Sequence, residues 1–258
     1  MSRGSLTVVG TGIQLAAHLT PEARAAIQQA DEVLYLVGDP VTDSLIEDLN
    51  PRCRSLQSLC AAGGDRREAY TAMVDEILAR VRAGLDVCAA FYGHPGVFVG
   101  PAHEAIRRAR EEGFDATMLP GISAEDCLFA DLGIDPGRTG CQSYEATDFL
   151  IRPRNVETSA VLILWQIGVI GETAYSATSD PSGLSVLIDR LRQLYPTEHE
   201  TIVYEASPYP ICKPLVRRVP LSELAGTEIP PLATLVVPPR RKARRDLRTI
   251  TRLGLPPR

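Results

Sequence analysis

The stretch Phe91-Tyr92-Gly93-His94-Pro95-Gly96-Val97-Phe98 decides how this chain is read. The residues leading into it, Val87 to Phe91, are small, β-branched or aromatic and predict a buried strand. Gly-His-Pro-Gly then ends the strand in a turn that Gly and Pro adopt at low cost. A helix is expected over 101–112. Tyr92 and His94 therefore fall at the carboxyl end of a strand, where open α/β sheets bind their ligands.

Outward from this corner the same alternation recurs. Strands are expected at 6–9, 32–37 and 116–119, and helices at 21–30, 66–83 and from about 120 to 131. Thr20 before Pro21 reads as an N-cap followed by a favoured first helical residue. Tyr70, Met73, Val74, Ile77, Leu78 and Val81 form one helical stripe. Residues 50–65 read as a loop. Strands alternating with helices predict a mainly parallel sheet. The second half is mixed: strands at 160–165, 201–204, 215–219 and 233–237, with a helix over 182–195. The expected organisation is an N-terminal α/β domain (1–119), a C-terminal α+β domain (120–240) and a basic tail (241–258) that reads as a solvated terminal helix.

A chain of 258 residues with 45% hydrophobic and 23% charged residues has an ordinary globular composition and buries a sizeable core. The net charge of −5 argues against nucleic acid as a partner, and no apolar run is long enough to span a bilayer. The chain enters a strand almost at once, so no signal peptide is expected. The six cysteines form no Cys-x-x-Cys pair and no metal-ligand spacing, which predicts a cytoplasmic protein without a metal site.

Gly10-Thr11-Gly12 follows a strand, but it lacks the third glycine of a dinucleotide fingerprint. Neither a phosphate-binding loop with Lys and Ser/Thr nor a nucleophile elbow is present, so hydrolase chemistry is not indicated. Arg66 and Tyr70 lie four residues apart at a helix start and share a face. A guanidinium beside a phenol lowers the phenol's pKa, which suits a base or an oxyanion partner; a capping Arg and a core Tyr would leave the same pattern. Gly121-Ile122-Ser123-Ala124 offers backbone N–H groups at a helix start. Gln166, Glu205 and Thr234 each stand in or beside an apolar strand, and Gln166 and Thr234 could read the edge of an adenine-like ring.

Taken in order, these segments resemble the tetrapyrrole methylase superfamily, which binds S-adenosylmethionine between two α/β domains. The run from Tyr92 to Phe98, the run Leu119-Pro120-Gly121-Ile122-Ser123-Ala124-Glu125-Asp126-Cys127-Leu128-Phe129-Ala130-Asp131-Leu132, and Tyr144-Glu145-Ala146 narrow the resemblance to the borosin peptide backbone α-N-methyltransferases. The resemblance implies a two-domain tetrapyrrole-methylase-like α/β fold with a mainly parallel first sheet and a mixed second one. It implies catalytic roles for Arg66, Tyr70 and Tyr92. It implies cofactor contacts from Tyr92, His94, Val97, Ser123, Ala124, Gln166, Ala206, Ala233 and Thr234, with S-adenosylhomocysteine as cofactor product. The implied activity is α-N-methylation of backbone amides in a ribosomal precursor peptide by a homodimer. Tyr92 or Tyr70, made more acidic by Arg66, is then expected to take the amide proton. Because the sequence stops at Arg258, it resembles the split type, whose precursor is a separate chain. Cys60 stands where some members carry a Tyr. The alternatives are a tetrapyrrole-type small-molecule methyltransferase and a catalytically weak, peptide-binding relative.

Overall fold

The computed structural model describes residues 4–60, 64–172 and 182–256, and its contacts divide the chain into two units. Unit 1 comprises Met1–Gly133, Glu172–Thr178 and Glu205–Leu215; unit 2 comprises Ile134–Gly171, Ser179–Tyr204 and Val216–Arg258. The first crossing falls after Gly133, later than the 119/120 boundary expected from sequence, because the helix following Ser123 groups with unit 1.

In unit 1 the chain runs β1 (Ser5–Gly10), α1 (Pro21–Gln29), β2 (Glu32–Leu36), α2 (Pro40–Leu49), β3 (Cys53–Ser55), α3 (Arg66–Arg82), β4 (Asp86–Phe91), α4 (Gly100–Glu111), β5 (Asp115–Met118) and α5 (Ala124–Leu132). The five strands order as β3-β2-β4-β1-β5, with every pairing parallel. Side chains alternate across the sheet. Val8, Ala89 and Phe91 join Met73 and Ile77 of α3 and Ala105 of α4 on one face. Val9, Cys88 and Ala90 join Ile27 of α1 and Ile46 of α2 on the other. Both faces are covered, which is why these strands read as unbroken apolar runs rather than alternating ones.

Two elements depart from the sequence reading. Asp39-Pro40 opens a helix rather than only closing a strand: the Asp39 carboxylate accepts the N–H groups of Val41 and Thr42 at 3.0 Å each, and Pro40 takes the first turn. Within the expected loop 50–65, Cys53–Ser55 pairs with β2 as an edge strand, too short to carry a pattern of its own.

The connection from β1 to β2 passes across β4, and the connection from β4 to β5 passes back across β1. Adjacent strands β1 and β4 thus send their chains in opposite directions. That reversal opens a crevice at their carboxyl ends.

Unit 2 holds α6 (Pro136–Thr139), β6 (Cys141–Glu145), α7 (Ala146–Ile151), β7 (Val161–Trp165), α8 (Ser182–Arg192), β8 (Glu200–Glu205), β9 (Leu215–Pro220), β10 (Thr234–Val237) and α9 (Leu247–Arg252), the last residue of β8 and the first of β9 being counted with unit 1. Its sheet is mixed, in the order β6-β7-β10-β8-β9; β6 and β7 are parallel, and β10 runs antiparallel to β7 and β8. Leu164, Val203 and Leu235 are fully buried in it, and α8 buries Leu187 and Leu191. Among the described residues, only Leu247–Arg252 of the basic tail is helical, and no helix is long and apolar enough to cross a membrane.

Candidate active site

Three glycine-bearing loops meet at the carboxyl edge of the unit 1 sheet. A Cβ on Gly10, the last residue of β1, would stand 2.1 Å from the Gly93 carbonyl oxygen. A Cβ on Gly121, after β5, would stand 3.2 Å from that same oxygen and 3.4 Å from the Cα atoms of Gly10 and His94. Gly12 and Gly93 both take left-handed backbone, at φ 73° and 71°. The loops therefore touch backbone to backbone, and side chains there would force them apart.

Tyr92 follows β4 directly, its N–H donating to the Leu36 carbonyl at 3.1 Å. Its ring lies 3.8 Å from where a Cβ on Gly38 would be. The side chain is 36% exposed, yet the phenol is pushed up to about 12, first by desolvation and then by the negative charges of Cys127, Glu205 and Asp39. This reverses the expected direction for Tyr92: at neutral pH the phenol keeps its proton.

His94 Nδ1 accepts the Gly96 N–H at 2.9 Å, which puts the proton of the neutral ring on Nε2. His103 Nε2 donates to the Gly96 carbonyl at 2.9 Å and closes the turn from its far side. Val97 and Phe98 follow, 41% and 49% exposed, with Phe98 at φ 57°, a backbone region bulky residues avoid.

Arg66 and Tyr70 occupy the first two turns of α3, whose N-cap Asp65 accepts the Arg67 N–H at 2.6 Å. Because α3 packs antiparallel to its strands, these turns lie at the same carboxyl edge as Tyr92. Both side chains are half-buried. The Tyr70 ring packs toward the start of α4, 3.6 Å from where a Cβ on Gly100 would stand, and against the core shared by α3 and α4. Cys60 packs against that core as well.

Ser123 is consumed by its own helix. Its hydroxyl accepts the Asp126 N–H at 3.2 Å and donates to the Asp126 carboxylate, which also takes the Ser123 N–H at 2.7 Å. This capping box fixes the start of α5 and leaves the N–H of Ala124, not that of Ser123, toward the loop.

Beside α5 lies a cavity of about 280 Å³, lined among others by Gln14, His18, Asp126, Cys127, Ala206 and Ser207. Of the residues expected to bind cofactor, only Ala206 lines it. His18 Nδ1 accepts the Gln14 N–H at 3.1 Å and lies 3.9 Å from the Cys127 sulfur. Burial lowers the His18 pKa against the opposing pull of Asp126 and Asp131, and burial raises the Cys127 thiol to about 11. Sequence reading missed His18, because only the fold brings the loop after β1 against α5.

The remaining expected residues belong to unit 2 and are neighbours there. Gln166 follows β7 directly in left-handed backbone at φ 60°, and the next N–H, from Ile167, donates to the Ala233 carbonyl at 3.0 Å. Ala233 and Thr234 are buried, Thr234 opposite Tyr204 in the ladder. The expected cofactor set thus forms two clusters, one in each unit. Among the described residues no group of three or more His, Cys, Asp or Glu could hold a metal.

Solved structures share this architecture. Uroporphyrin-III-C-methyltransferase from Thermus thermophilus superposes with a TM-score of 0.67 over 92% of this chain and 93% of its own, at 22% identity. A diphthine synthase superposes at 0.64 over 93% and 91%, at 16% identity. These likenesses show the fold.

Curated relatives are more similar in sequence. The methyltransferase/ribosomally synthesized cyclic peptide dendrothelin A precursor of Dendrothele bispora is 44% identical over 95% of this chain and 60% of its own length. The corresponding omphalotin A precursor of Omphalotus olearius is 43% identical over 98% of this chain and 62% of its own. The chain therefore spans about 60% of the length of these relatives. A family model described as Tetrapyrrole (Corrin/Porphyrin) Methylases matches residues 5–225, which takes in the glycine cradle, Arg66, Tyr70, Tyr92 and the Gln166 turn, and the chain belongs to that family.

Proposed function

We propose that this protein transfers methyl groups from S-adenosylmethionine to backbone amide nitrogens of a ribosomal precursor peptide, as a borosin-type enzyme. The observation that carries the reading is the conjunction of Arg66, Tyr70 and Tyr92 at the carboxyl edge of a methylase sheet with 44% identity to a relative named both methyltransferase and cyclic peptide precursor.

The residues present fit the donor. The backbone contact of Gly10, Gly93 and Gly121 holds the three loops together at the edge where the donor would lie. His94 and the backbone of Ala124 offer donors, exposed Val97 offers apolar surface, and Gln166 offers a carboxamide able to read a purine edge. Tyr92, Ser123, Ala206, Ala233 and Thr234 complete the proposed set. When bound, the sulfonium supplies an electrophilic methyl group and leaves as a neutral thioether.

An amide nitrogen is a poor nucleophile, because its lone pair is delocalised into the carbonyl. The chain's own residues must hold that amide in line and favour charge on its oxygen. In this reading Arg66 and the Tyr70 phenol face the carbonyl oxygen. The Tyr92 hydroxyl, held protonated, donates a further hydrogen bond. A homodimer in a reducing cytoplasm belongs to the same reading; the six free cysteines suit that compartment.

Co-expression with candidate precursor peptides, followed by intact-mass and tandem mass spectrometry, tests it. Methyl-sized mass steps on backbone nitrogen are expected. A peptide supplied as a separate chain and one fused after residue 258 are the two arms that decide the split arrangement. Methylation confined to side chains, or to a porphyrinoid offered in the same assay, overturns the peptide reading in favour of a small-molecule methyltransferase. Binding of peptide without any methylation points instead to the catalytically weak relative.

A further inference from the structure

Ala206 apart, the cavity beside α5 is left unused by the proposed methyl transfer, although its walls continue the loops that carry the candidate site. All of its lining belongs to unit 1. His18 packs directly on Gly12, where a Cβ would stand 2.2 Å from the His18 Cβ, and Gly12 is bridged to Gly93, the residue after Tyr92. On the other side Ile122 follows Gly121, which packs against Gly93 and His94. Cys127, Ala130 and Asp131 lie three and four residues apart on one face of α5. The segment after β8 closes the third side, and the Pro208 carbonyl accepts the Leu15 N–H at 2.8 Å, tying that segment to the loop after β1. Several polar atoms of the lining are spent within the fold. Ser207 Oγ donates to the Tyr209 carbonyl and accepts the Tyr209 N–H, and Asp126 closes the capping box of α5. Two groups are left over. Because His18 Nδ1 accepts the Gln14 N–H, the neutral ring carries its proton on Nε2; neither that N–H nor the Gln14 carboxamide has a hydrogen-bond partner among the described residues. A volume of about 280 Å³ falls at the low end of small-molecule pockets, about 300–1,000 Å³, and suits a fragment rather than a macrocycle.

Resting on the proposed methylation of peptide amides, we infer that this cavity is a recognition pocket for one residue of the peptide beside the methylated amide, its apolar walls taking a small aliphatic side chain while His18 and Gln14 hold that residue's backbone. The groups match one for one. A peptide residue offers one carbonyl acceptor and one N–H donor. The His18 Nε2–H donates to the carbonyl, and the Gln14 carboxamide oxygen accepts the N–H. Ile122, Cys127, Ala130 and Pro214 supply the apolar surface. Asp126 and Asp131, both exposed, line the same space and repel an acidic side chain. Ala130 is exposed and small, so the residue at this position sets how large a side chain enters. Since His18 is seated on the bridge between Gly12 and Gly93, a residue held here fixes where the next amide stands relative to Tyr92. The pocket therefore acts on peptide binding and leaves donor binding alone.

The test uses capped single residues, the N-acetyl N′-methylamides of glycine, valine, lysine and glutamate, added to protein saturated with S-adenosylhomocysteine. Nitrogen-15 NMR of labelled histidine locates them, the His18 signal being assigned by its absence from His18→Asn. The valine probe is expected to shift that signal at lower concentration than the other three. Ala130→Leu, at an exposed helix position, is expected to lose the response while calorimetry finds its affinity for S-adenosylhomocysteine unchanged. His18→Asn keeps an acceptor for the Gln14 N–H and loses the outer N–H. By saturation-transfer NMR it is expected to bind the valine probe about threefold to tenfold more weakly, the usual net worth of one hydrogen bond. In peptide methylation Ala130→Leu is expected to raise the peptide KM about tenfold or more with less effect on kcat. No response in wild type, a stronger response to the lysine probe, a response seen only without S-adenosylhomocysteine, or an unchanged peptide KM in Ala130→Leu overturns the pocket. A wild type that takes the valine probe but methylates no peptide supports the pocket and defeats the methylation reading beneath it.

Discussion

Gly12 and Gly93 exchange backbone hydrogen bonds: the Gly12 N–H donates to the Gly93 carbonyl at 3.2 Å, and the Gly93 N–H donates to the Gly12 carbonyl at 3.0 Å. This two-way bridge is antiparallel, unlike the parallel pairing of β1 with β4, and it joins the loops beyond the strand ends where their connections diverge. It fixes the height at which Tyr92 and His94 leave the sheet.

Gly10→Ala should therefore destabilise the protein. The new Cβ meets backbone, the Gly93 carbonyl at 2.1 Å, so no rotamer change relieves it. Overpacking of this kind costs about 1–3 kcal/mol. Gly133→Ala is the comparison: Gly133 takes left-handed backbone, at φ 65°, but nothing lies within 4 Å of its Cβ, so it should lose only about 1 kcal/mol. Urea unfolding of the two variants measures the difference, and equal losses would contradict the cradle.

Tyr92→Phe should fold normally and bind S-adenosylhomocysteine with little change. It should lose about 10² to 10³-fold in methylation, the usual cost of one aligned hydrogen-bond donor. Ultraviolet difference titration against wild type should place the missing phenol near 12. Near-normal turnover would remove the hydroxyl from the mechanism.

Tyr195 in unit 2 offers a test of burial without catalysis. It is 2% exposed, its hydroxyl is buried with no partner among the described residues, and its pKa is raised to about 12, chiefly by desolvation, with Glu157 adding and Arg240 opposing. The folded state holds this proton more tightly than the unfolded chain. Its stability contribution is therefore complete below about pH 10 and is lost as the pH climbs toward 12. Tyr195→Phe should gain about 1 kcal/mol at neutral pH by removing the unpaired hydroxyl, and should flatten that alkaline decline. Thermal unfolding across this pH range checks both effects.

Arg66→Lys should cut turnover by about tenfold or more while cofactor affinity holds, because an ammonium does not reproduce the planar guanidinium fork. Cys60→Tyr should maintain or raise turnover. Cys60 and Tyr70 pack against the same core, so a phenol at position 60 restores the group that some relatives carry there. A steep loss in Cys60→Tyr would mean that this segment has repacked around the thiol.

The sequence by itself determined the local framework. The runs at Val8 and Ala89 read as strands because both faces of the unit 1 sheet are covered, the run at Leu164 is buried throughout, and Thr20-Pro21 and Ser123 marked helix starts through side chains that cap neighbouring N–H groups. The turn after Phe91 was legible because its Gly and Pro residues have few other uses. Helix α2 and strand β3 were not: Asp39-Pro40 reads equally as a turn, and three residues carry no periodicity. Only tertiary structure decided which groups share an environment. The contact of Gly10, Gly93 and Gly121 and the approach of His18 to Cys127 join residues far apart in the chain. The pKa of Tyr92 turned on the same point. Arg66 suggested a lowered value, but desolvation and surrounding acids, which are properties of the folded edge, raise it.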